Sequence, residues 1–260
     1  GPVQSCGYSD GRGFLMKTDL LESMDKEVHV WLCAPDSIND PARLSGYMSL
    51  LSGEERQRLQ RFHFEKDRHA FLVSHALVRK VLSKYANIEP ADWQFSTGEQ
   101  GRPEIVRSAG MSPLRFNLTH TQGLAACVVT RDIACGIDAE KLTARGNPLA
   151  VAEKMFATAE LADLNAQGEE GFLERFYVYW TLHEAYCKAL GVGLTRSDHR
   201  YAFVAGPGGQ YRLKTSDAMQ VGANDWCFEV SRPTAEHVVS VAFQSVDCAG
   251  RGIVARITVP

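Results

Sequence analysis

The 260-residue sequence lacks the cysteine spacing of a disulfide framework or a zinc site. Its seven cysteines are an odd number, and no two of them form a C-x-x-C pair. Small disulfide-bonded domains usually carry an even set of cysteines, and zinc sites use closely spaced pairs. The composition therefore argues against both classes, and we expect mostly buried thiols in a reducing, cytoplasmic compartment.

Long apolar runs and an excess of one charge are also absent. No apolar stretch is long enough to cross a bilayer, and the start, GPVQSCGYSD, lacks the apolar region of a signal peptide. The initial Gly-Pro resembles the remnant of a cleaved tag. The net charge is −3, so we expect no membrane and no nucleic acid as partners, and any anion site must be local.

The composition is that of an ordinary globular protein, with 45% hydrophobic and 23% charged residues. Each half of the chain shows the same order of patterns: strand, helices, then several strands. This repetition indicates an α+β protein with two similar lobes, related by a pseudo-twofold axis, and a ligand cleft between them. The predicted ranges are an N-terminal arm at 1–27, lobes at 28–133 and 134–246, and a C-terminal tail or added strand at 247–260.

Two carboxylates end a predicted buried strand in the segment CGIDAEKL, which follows the apolar run LAACVVTRDIA. Asp138 and Glu140 are separated by one residue, so in an extended chain both lie on the same face. Two anions at such a place repel each other. Either they lie at the rim in water, or a positive group lies between them.

A long helix predicted at 172–191 carries a second pair of charges. Glu184 and Lys188 are four residues apart and are therefore neighbours on its surface. One interpretation is a solvent-facing ion pair. The aromatic stretch RFYVYW before the pair and the segment GVGL after it favour a buried helix that ends at a site. A third carboxylate beside Asp138 and Glu140 would suit Mg²⁺, which prefers oxygen ligands and often binds phosphate as well.

Cationic residues that suit a phosphate recur in the first half of the chain. Arg61, Arg68 and His75 are seven residues apart, and Arg79 follows. If the helix is continuous, these residues form a basic stripe. The alternative is a solvated face whose arginines extend into water.

Two further segments of the first half suit a phosphate. Gly101, Arg102 and Pro103 form a segment whose glycine lets the backbone approach a ligand. Thr119 and His120 end an extended run, where they either form structural hydrogen bonds or donate to phosphate.

The blocks GRP, FNLTHT, GIDAE and WTLHEAYCKALGVGL occur in this order and together resemble the motifs of the Sfp-type 4′-phosphopantetheinyl transferases. The resemblance covers about residues 28–245. It implies Mg²⁺-dependent transfer of the 4′-phosphopantetheine arm of coenzyme A to a carrier-protein serine, with release of adenosine 3′,5′-bisphosphate. It also implies two α+β lobes with coenzyme A between them.

The implied partners are acyl carrier proteins and peptidyl or aryl carrier domains, from fatty-acid, polyketide or nonribosomal-peptide synthesis. We expect a monomer, because two lobes in one chain can complete the site. By matching positions, the resemblance implies that Asp138, Glu140 and Glu184 bind the metal, and that Glu184, Lys188 and Asp138 are catalytic. The implied contacts to coenzyme A are Arg61, Arg68, His75, Gly101, Arg102, Pro103, Thr119, His120, Asp138, Glu184 and Lys188.

The sequence departs from the family pattern at His183, where most relatives have Lys. Its side chain either adds a pH-dependent charge to phosphate binding or turns away from the site. Glu160 matches a family acid near the site, and its alternative role is that of a helix-start carboxylate after Thr158.

A second departure is Glu55, where some relatives carry Lys. Contacts to the 3′-phosphate are then expected to shift toward Arg58, Arg61 and Arg68. Two other functions remain open: an Mg²⁺-dependent phosphohydrolase that uses water as nucleophile, and a non-catalytic coenzyme A-binding module.

Overall fold

The structure is a computed structural model that describes residues 17–98, 101–107, 112–144, 146–192, 201–206, 209–215 and 225–260. These residues fall into two compact units. The first unit comprises 17–132 together with Gly252–Pro260, and the second comprises Ile133–Arg251. Within the described ranges, no helix has the length and apolar character needed to cross a membrane.

The first unit packs helices against a mainly antiparallel sheet. Its described helices are α1 (Lys17–Ser23), α2 (Pro41–Leu50), α3 (Gly53–Gln60) and α4 (Glu65–Leu82). Its described strands are β1 (Glu27–Cys33), β2 (Phe95–Thr97), β3 (Pro103–Ile105), β4 (Leu114–Thr121), β5 (Leu124–Arg131) and β11 (Gly252–Ile257). The main sheet has the order β11-β1-β5-β4, with β11 parallel to β1, and β2 and β3 form a separate hairpin.

The core of the first unit lies between α4 and one face of this sheet. Apolar residues of α4 such as Phe71 and Leu77 pack in one cluster with Trp31 of β1 and Val129 of β5. The described part of the range predicted as an arm also belongs here. Leu20 of α1 is 5% exposed and packs in the same cluster, so α1 is a part of the first unit.

The basic stripe predicted for one continuous helix is interrupted. Helix α3 starts with a capping box between Ser52 and Glu55 and ends at Gln60, and α4 begins only at Glu65. The break lets Phe62 pack on Phe71, with ring centroids 5.3 Å apart.

The second unit places a long helix on an antiparallel sheet. Its described helices are α5 (Pro148–Met155), α6 (Thr158–Asn165) and α7 (Gly168–Leu190). Its described strands are β6 (Cys135–Lys141), β7 (Tyr201–Ala205), β8 (Tyr211–Thr215), β9 (Trp226–Thr234) and β10 (His237–Gln244), in the order β6-β10-β9-β8-β7. Helix α7 packs on β6 and β10 through an aromatic core. The α+β class predicted from the sequence is confirmed.

One cysteine pair departs from the expectation of mostly buried thiols in a reducing compartment. Cys227 in β9 and Cys248 after β10 form a disulfide, with Cα atoms 5.4 Å apart. They are 21 residues apart in sequence, and the β9–β10 hairpin brings them together, so local spacing gives no indication of the pair. The remaining described cysteines are buried thiols, as expected: Cys33, Cys127, Cys135 and Cys187.

His29 of β1 lies fully buried in a hydrogen-bond chain of the first unit. Trp31 Nε1 donates to the Tyr85 hydroxyl at 2.8 Å, and that hydroxyl lies 2.7 Å from His29 Nδ1. On the other side of the ring, Nε2 lies 3.0 Å from Glu27 Oε2. A neutral imidazole protonated at Nε2 satisfies each of these partners. Burial, with a smaller effect of the Arg256 guanidinium, lowers the pKa of His29 from 6.5 to about 4.

We expect mild acid to destabilise the protein through His29. Between pH 6.5 and about 4 the unfolded chain binds a proton that the folded chain does not, so stability falls as the pH falls through this window. The full loss is about 3 kcal/mol. Urea unfolding at several pH values measures it. The pH dependence in this window should be much weaker in His29→Gln, and equal slopes in the two proteins would contradict the assignment.

Candidate active site

Strand β6 and helix α7 touch through their backbones at Gly136. A Cβ atom at this position would collide with the carbonyl oxygen of Ala185 and would lie 2.5 Å from the amide nitrogen of Ala189. Only glycine therefore permits this approach. Alternate residues of a strand share a face, so Asp138 and Glu140 lie on the same side of β6 as the contact with α7.

Two charged residues of α7 meet this face of β6. Along 181–189, Glu184 and Lys188 are partly exposed and the other positions are buried. Lys188 Nζ donates to Asp138 Oδ1 at 2.6 Å and to the carbonyl of Ile137 at 3.3 Å. The ammonium of Lys188 thus reaches across to β6, which disfavours a simple solvent-facing pair with Glu184.

The charges of this cluster, formed by Asp138, Glu140, Glu184 and Lys188, do not balance. Burial and the neighbouring Asp138 carboxylate raise the pKa of Glu140 to about 7, against the effects of Lys188 and a hydrogen bond with Trp180. Burial and Asp138 also raise the pKa of Glu184. The Asp138 side chain is only 7% exposed, so it does not lie in water at the rim. A positive group does lie beside it, and among the residues that the structure describes this is the ammonium of Lys188, which faces the three carboxylates.

The three carboxylates suit Mg²⁺ by donor type and by charge. Mg²⁺ takes oxygen ligands, and a divalent cation would offset the repulsion that raises the pKa of Glu140. In the part of the chain that the structure describes, no three Asp, Glu, His or Cys side chains are arranged as a metal site. Lys188 lies directly on Asp138. The fit therefore rests on the donor set and its excess charge.

In the first unit, Arg102 lies at the edge of a cavity of about 260 Å³. The cavity is lined by residues of β3, β4 and their flanks: Arg102, Pro103, Glu104, Ile105, Arg107, Leu114, Arg115 and Phe116. Arg102 Nη2 donates to the carbonyl of Phe116 at 3.2 Å. Gly101 precedes it with φ +77°, a left-handed conformation that glycine adopts readily. The segment 101–103, which the resemblance implies to contact coenzyme A, thus borders a cationic cavity.

The other residues predicted to contact phosphate differ in their surroundings. Thr119 is buried and His120 is exposed, and as neighbours on β4 they lie on opposite faces of that strand. Arg61 caps the C-terminal end of α3 and is exposed. Arg68 in α4 is also exposed, and its Nη1 donates to the carbonyl of Phe62 at 3.0 Å.

His75 belongs to a different cluster. Its Nδ1 lies 2.8 Å from Glu55 Oε1, and its ring stacks on Phe71 with centroids 3.9 Å apart. The Glu55 that replaces a cation of some relatives is thus the partner of His75. The condition for a basic stripe, one continuous helix, is not met, because Arg61 lies outside α4. The implied contact of His75 with coenzyme A stays a prediction.

His183 is turned into the core of the second unit. Its Nε2 lies 3.0 and 3.1 Å from the two carboxylate oxygens of Glu160, and both residues are buried. Glu160 also accepts from the backbone amides of Phe203 at 2.7 Å and Ala157 at 2.8 Å. Of the two alternatives for His183, the structure favours the side chain turned away from Glu184. Glu160 is a helix-start carboxylate that also holds this histidine.

Two contributors to the site escaped prediction from the sequence. Gly136 is the point of contact between β6 and α7, and a glycine inside a strand pattern is a known indication of close backbone approach. Thr181 of α7 and Ser240 of β10 share a buried hydrogen bond of 2.7 Å, and Ser240 pairs with Asp138 in the sheet. Thr181 and Ser240 are uncharged, so the sequence did not indicate a role for them.

A methyl group at Gly136 should disrupt the second unit. Gly136→Ala forces α7 away from β6, and we expect a loss of stability of about 3 kcal/mol or more, as for other overpacked sites. Gly46→Ala is the matched control, because α2 leaves open space around Gly46. It should stabilise the protein by up to about 1 kcal/mol. Thermal unfolding of both variants measures the difference, and similar melting temperatures would contradict the backbone contact.

Two family models match this chain, one in each of its two units. A family model described as "4′-phosphopantetheinyl transferase superfamily" matches residues 134–242. A second model, described as "4′-phosphopantetheinyl transferase, N-terminal", matches residues 39–131. Together the two models cover most of both units.

Several curated proteins are similar over most of their length. The 4′-phosphopantetheinyl transferase HetI of Nostoc sp. is 32% identical over 183 residues, which are 70% of this chain and 76% of HetI. The 4′-phosphopantetheinyl transferase Sfp of Bacillus subtilis is 29% identical over 172 residues, 66% of this chain and 74% of Sfp. A solved holo-(acyl-carrier-protein) synthase from Bacillus anthracis, in complex with CoA (3′,5′-ADP), is 20% identical and covers 44% of this chain and 98% of its own, with a TM-score of 0.37.

Proposed function

This chain belongs to the 4′-phosphopantetheinyl transferase superfamily as an Sfp-type member, and we propose that it performs the transfer with Mg²⁺. It is an enzyme that modifies carrier proteins and uses coenzyme A as its second substrate. The proposed acceptor is a serine of an acyl carrier protein or of a peptidyl or aryl carrier domain, and the proposed second product is adenosine 3′,5′-bisphosphate. We place the reaction in the cytoplasm and in a monomer.

The charged cluster at the β6–α7 contact is the observation that carries this proposal. Asp138, Glu140 and Glu184 hold more negative charge than Lys188 offsets, in a site where burial strengthens electrostatic interactions. A purely structural ion pair needs one carboxylate for one ammonium. The surplus is what a site for a cation and a pyrophosphate requires.

In the proposed reaction one bond to phosphorus replaces another. The hydroxyl oxygen of the carrier serine bonds to the β-phosphorus of coenzyme A, and the bond from that phosphorus to the bridging oxygen breaks. The bridging oxygen leaves with the 5′-phosphate of adenosine 3′,5′-bisphosphate. Glu184, which is partly exposed on α7, takes the proton of the serine hydroxyl directly or through one water.

The negative charge of the pyrophosphate must be offset during the proposed reaction. Lys188, held at Asp138, offers its ammonium to the leaving phosphate, whose negative charge grows as the bond breaks. A bound Mg²⁺ would be held by Asp138, Glu140 and Glu184 and would supply positive charge to the pyrophosphate. In the first unit, Arg102 and the exposed Arg61 and Arg68 are the proposed contacts to the nucleotide, together with Thr119 and His120. Positioning supplies much of the acceleration in phosphoryl transfer.

The proposed transfer is tested by intact-mass analysis of apo carriers. The protein is mixed with coenzyme A, Mg²⁺ and a panel of acyl, peptidyl and aryl carriers. We expect one phosphopantetheine arm per carrier, an equal amount of adenosine 3′,5′-bisphosphate, and no arm on a carrier whose acceptor serine is replaced by Ala. Asp138→Asn should slow transfer about 100-fold or more, since the carboxylate that holds Lys188 and would hold the cation is lost.

Two outcomes would contradict the proposal. Nucleotide release at the same rate without any carrier would indicate a phosphohydrolase. Binding of coenzyme A with no modified carrier in the panel would indicate a binding module. Gly46→Ala is the control for effects of mutation and purification. Gly46 lies in open surroundings on α2, far in sequence from the cluster, so the activity of this variant should equal that of the wild type.

A further inference from the structure

Arg79 of α4 is the largest of the fully buried side chains that the structure describes, with 1% of its surface exposed. A buried cation is costly unless partners offset its desolvation. An apolar side chain of similar volume would fill this position with no such cost. The contacts of this arginine must therefore offset the cost of its burial.

The guanidinium of Arg79 joins three elements of the first unit. Nη2 donates to Glu55 Oε2 at 2.6 Å, in the first turn of α3. Nη1 donates to the carbonyl of Trp93 at 2.8 Å and to that of Pro90 at 3.3 Å. The same group lies over the ring of Phe95, the first residue of β2, 5.1 Å from its centroid. A planar group with several fixed donors can satisfy these directions at once.

Glu55 is equally well anchored. Its carboxylate accepts from the Ser52 amide at 2.7 Å and lies 2.8 Å from His75 Nδ1. Burial acts to raise the pKa of Glu55, but the hydrogen bonds from His75, Ser52 and Arg79 outweigh it and lower the pKa to about 2. The ion pair with Arg79 is therefore present over the whole physiological range of pH.

Two of the elements that contact Arg79, α3 and β2, are connected to residues of the proposed nucleotide site. Helix α3 carries Arg58, and Arg61 is the residue that caps its C-terminal end. Strand β2 pairs with β3, which directly follows Arg102. Phe95 also packs on Phe116 of β4 with centroids 5.3 Å apart, and the carbonyl of Phe116 accepts from Arg102.

We propose that Arg79 is a positioning residue for coenzyme A: its buried guanidinium fixes the β2–β3 hairpin with Arg102 relative to helix α3 with Arg58 and Arg61. This inference rests on the proposed function. Arg79 itself does not touch the ligand. It sets the distance between Arg102 on one side and Arg58 with Arg61 on the other, which bind the same nucleotide. Loss of Arg79 therefore weakens binding of coenzyme A more than it slows the chemical step.

Arg79→Lys is the first test. Lys keeps the positive charge next to Glu55, but its ammonium cannot reproduce the fork that also reaches the carbonyl of Trp93. We expect the KM for coenzyme A to rise about 10-fold, as for the loss of a hydrogen bond from a charged donor, with kcat and the KM for the carrier within about 2-fold. Val81→Ala is the matched control, a fully buried position of the same helix that serves only the core.

Both variants are assayed at a temperature where unfolding curves show them folded. An equal KM for coenzyme A in Arg79→Lys and Val81→Ala would overturn the inference, as would parallel changes in kcat and both KM values. If Arg79→Lys does not fold, Glu55→Gln is measured in its place, because it weakens the same contact and leaves the arginine. The same rise in the KM for coenzyme A is expected, and an unchanged KM overturns the inference.

Failure of the proposed function is distinguishable from failure of this inference. If the wild type modifies no carrier, the proposed transfer is wrong, and calorimetric titration of coenzyme A into the same proteins then decides the role of Arg79. A dissociation constant about 10-fold weaker in Arg79→Lys than in Val81→Ala supports it. If the wild type neither transfers the arm nor binds coenzyme A, both proposals fail.

Discussion

The backbone contact between β6 and α7 at Gly136 is the constraint on which the active site depends. Helix and strand approach so closely there that the carbonyl of Ala185 and the amide of Ala189 occupy the place of a side chain. Glu184 and Lys188 directly precede these two residues, and Asp138 follows Gly136 by two. Side chains two apart on a strand share a face, and side chains about four apart on a helix share a face. The charged groups of β6 and α7 therefore meet beside this one contact.

The cost of this arrangement is electrostatic. Asp138, Glu140 and Glu184 are partly withdrawn from water, and burial together with mutual repulsion raises the pKa of both glutamates. Lys188 offsets part of that charge through its contact with Asp138. Proteins commonly depart from favourable local electrostatics where a ligand completes the balance, and in the described part of this cluster the carboxylates outnumber the ammonium. A neighbouring pair, His183 with Glu160, shows the contrast: it is buried, hydrogen-bonded and turned into the core.

The sequence was most informative where geometry is local. A one-residue gap in a strand and a four-residue gap in a helix fix which side chains share a face, so the cluster of Asp138, Glu140, Glu184 and Lys188 could be assembled from spacing and motif. The α+β class followed from the order of patterns. The division into two units lies at Asp132 and Ile133, and β11 joins the first unit through a parallel pairing with β1 that no local pattern indicates.

Features that the sequence left open or did not indicate concern contacts made by tertiary packing. Phe62, in the break between α3 and α4, packs on Phe71, and the orientation of His183 depends on a carboxylate 23 residues away. The disulfide of Cys227 and Cys248 joins positions that only the β9–β10 hairpin brings close. The role of Arg79 was hidden for the same reason, since periodicity placed it on a basic stripe while its partners lie on other elements.

Whether the surplus carboxylates serve a cation is tested most directly by counting bound Mn²⁺, as a probe for Mg²⁺, by electron paramagnetic resonance in the presence of coenzyme A. The wild type should bind one ion per chain, and Glu140→Gln should weaken binding about 10-fold or more, because a charged oxygen ligand is lost. Glu229→Gln is the control, a half-buried carboxylate of β9 whose pKa is raised by burial alone. It should bind like the wild type. No bound ion in the wild type, or equal binding in Glu140→Gln and Glu229→Gln, would contradict a cation site at the β6–α7 contact.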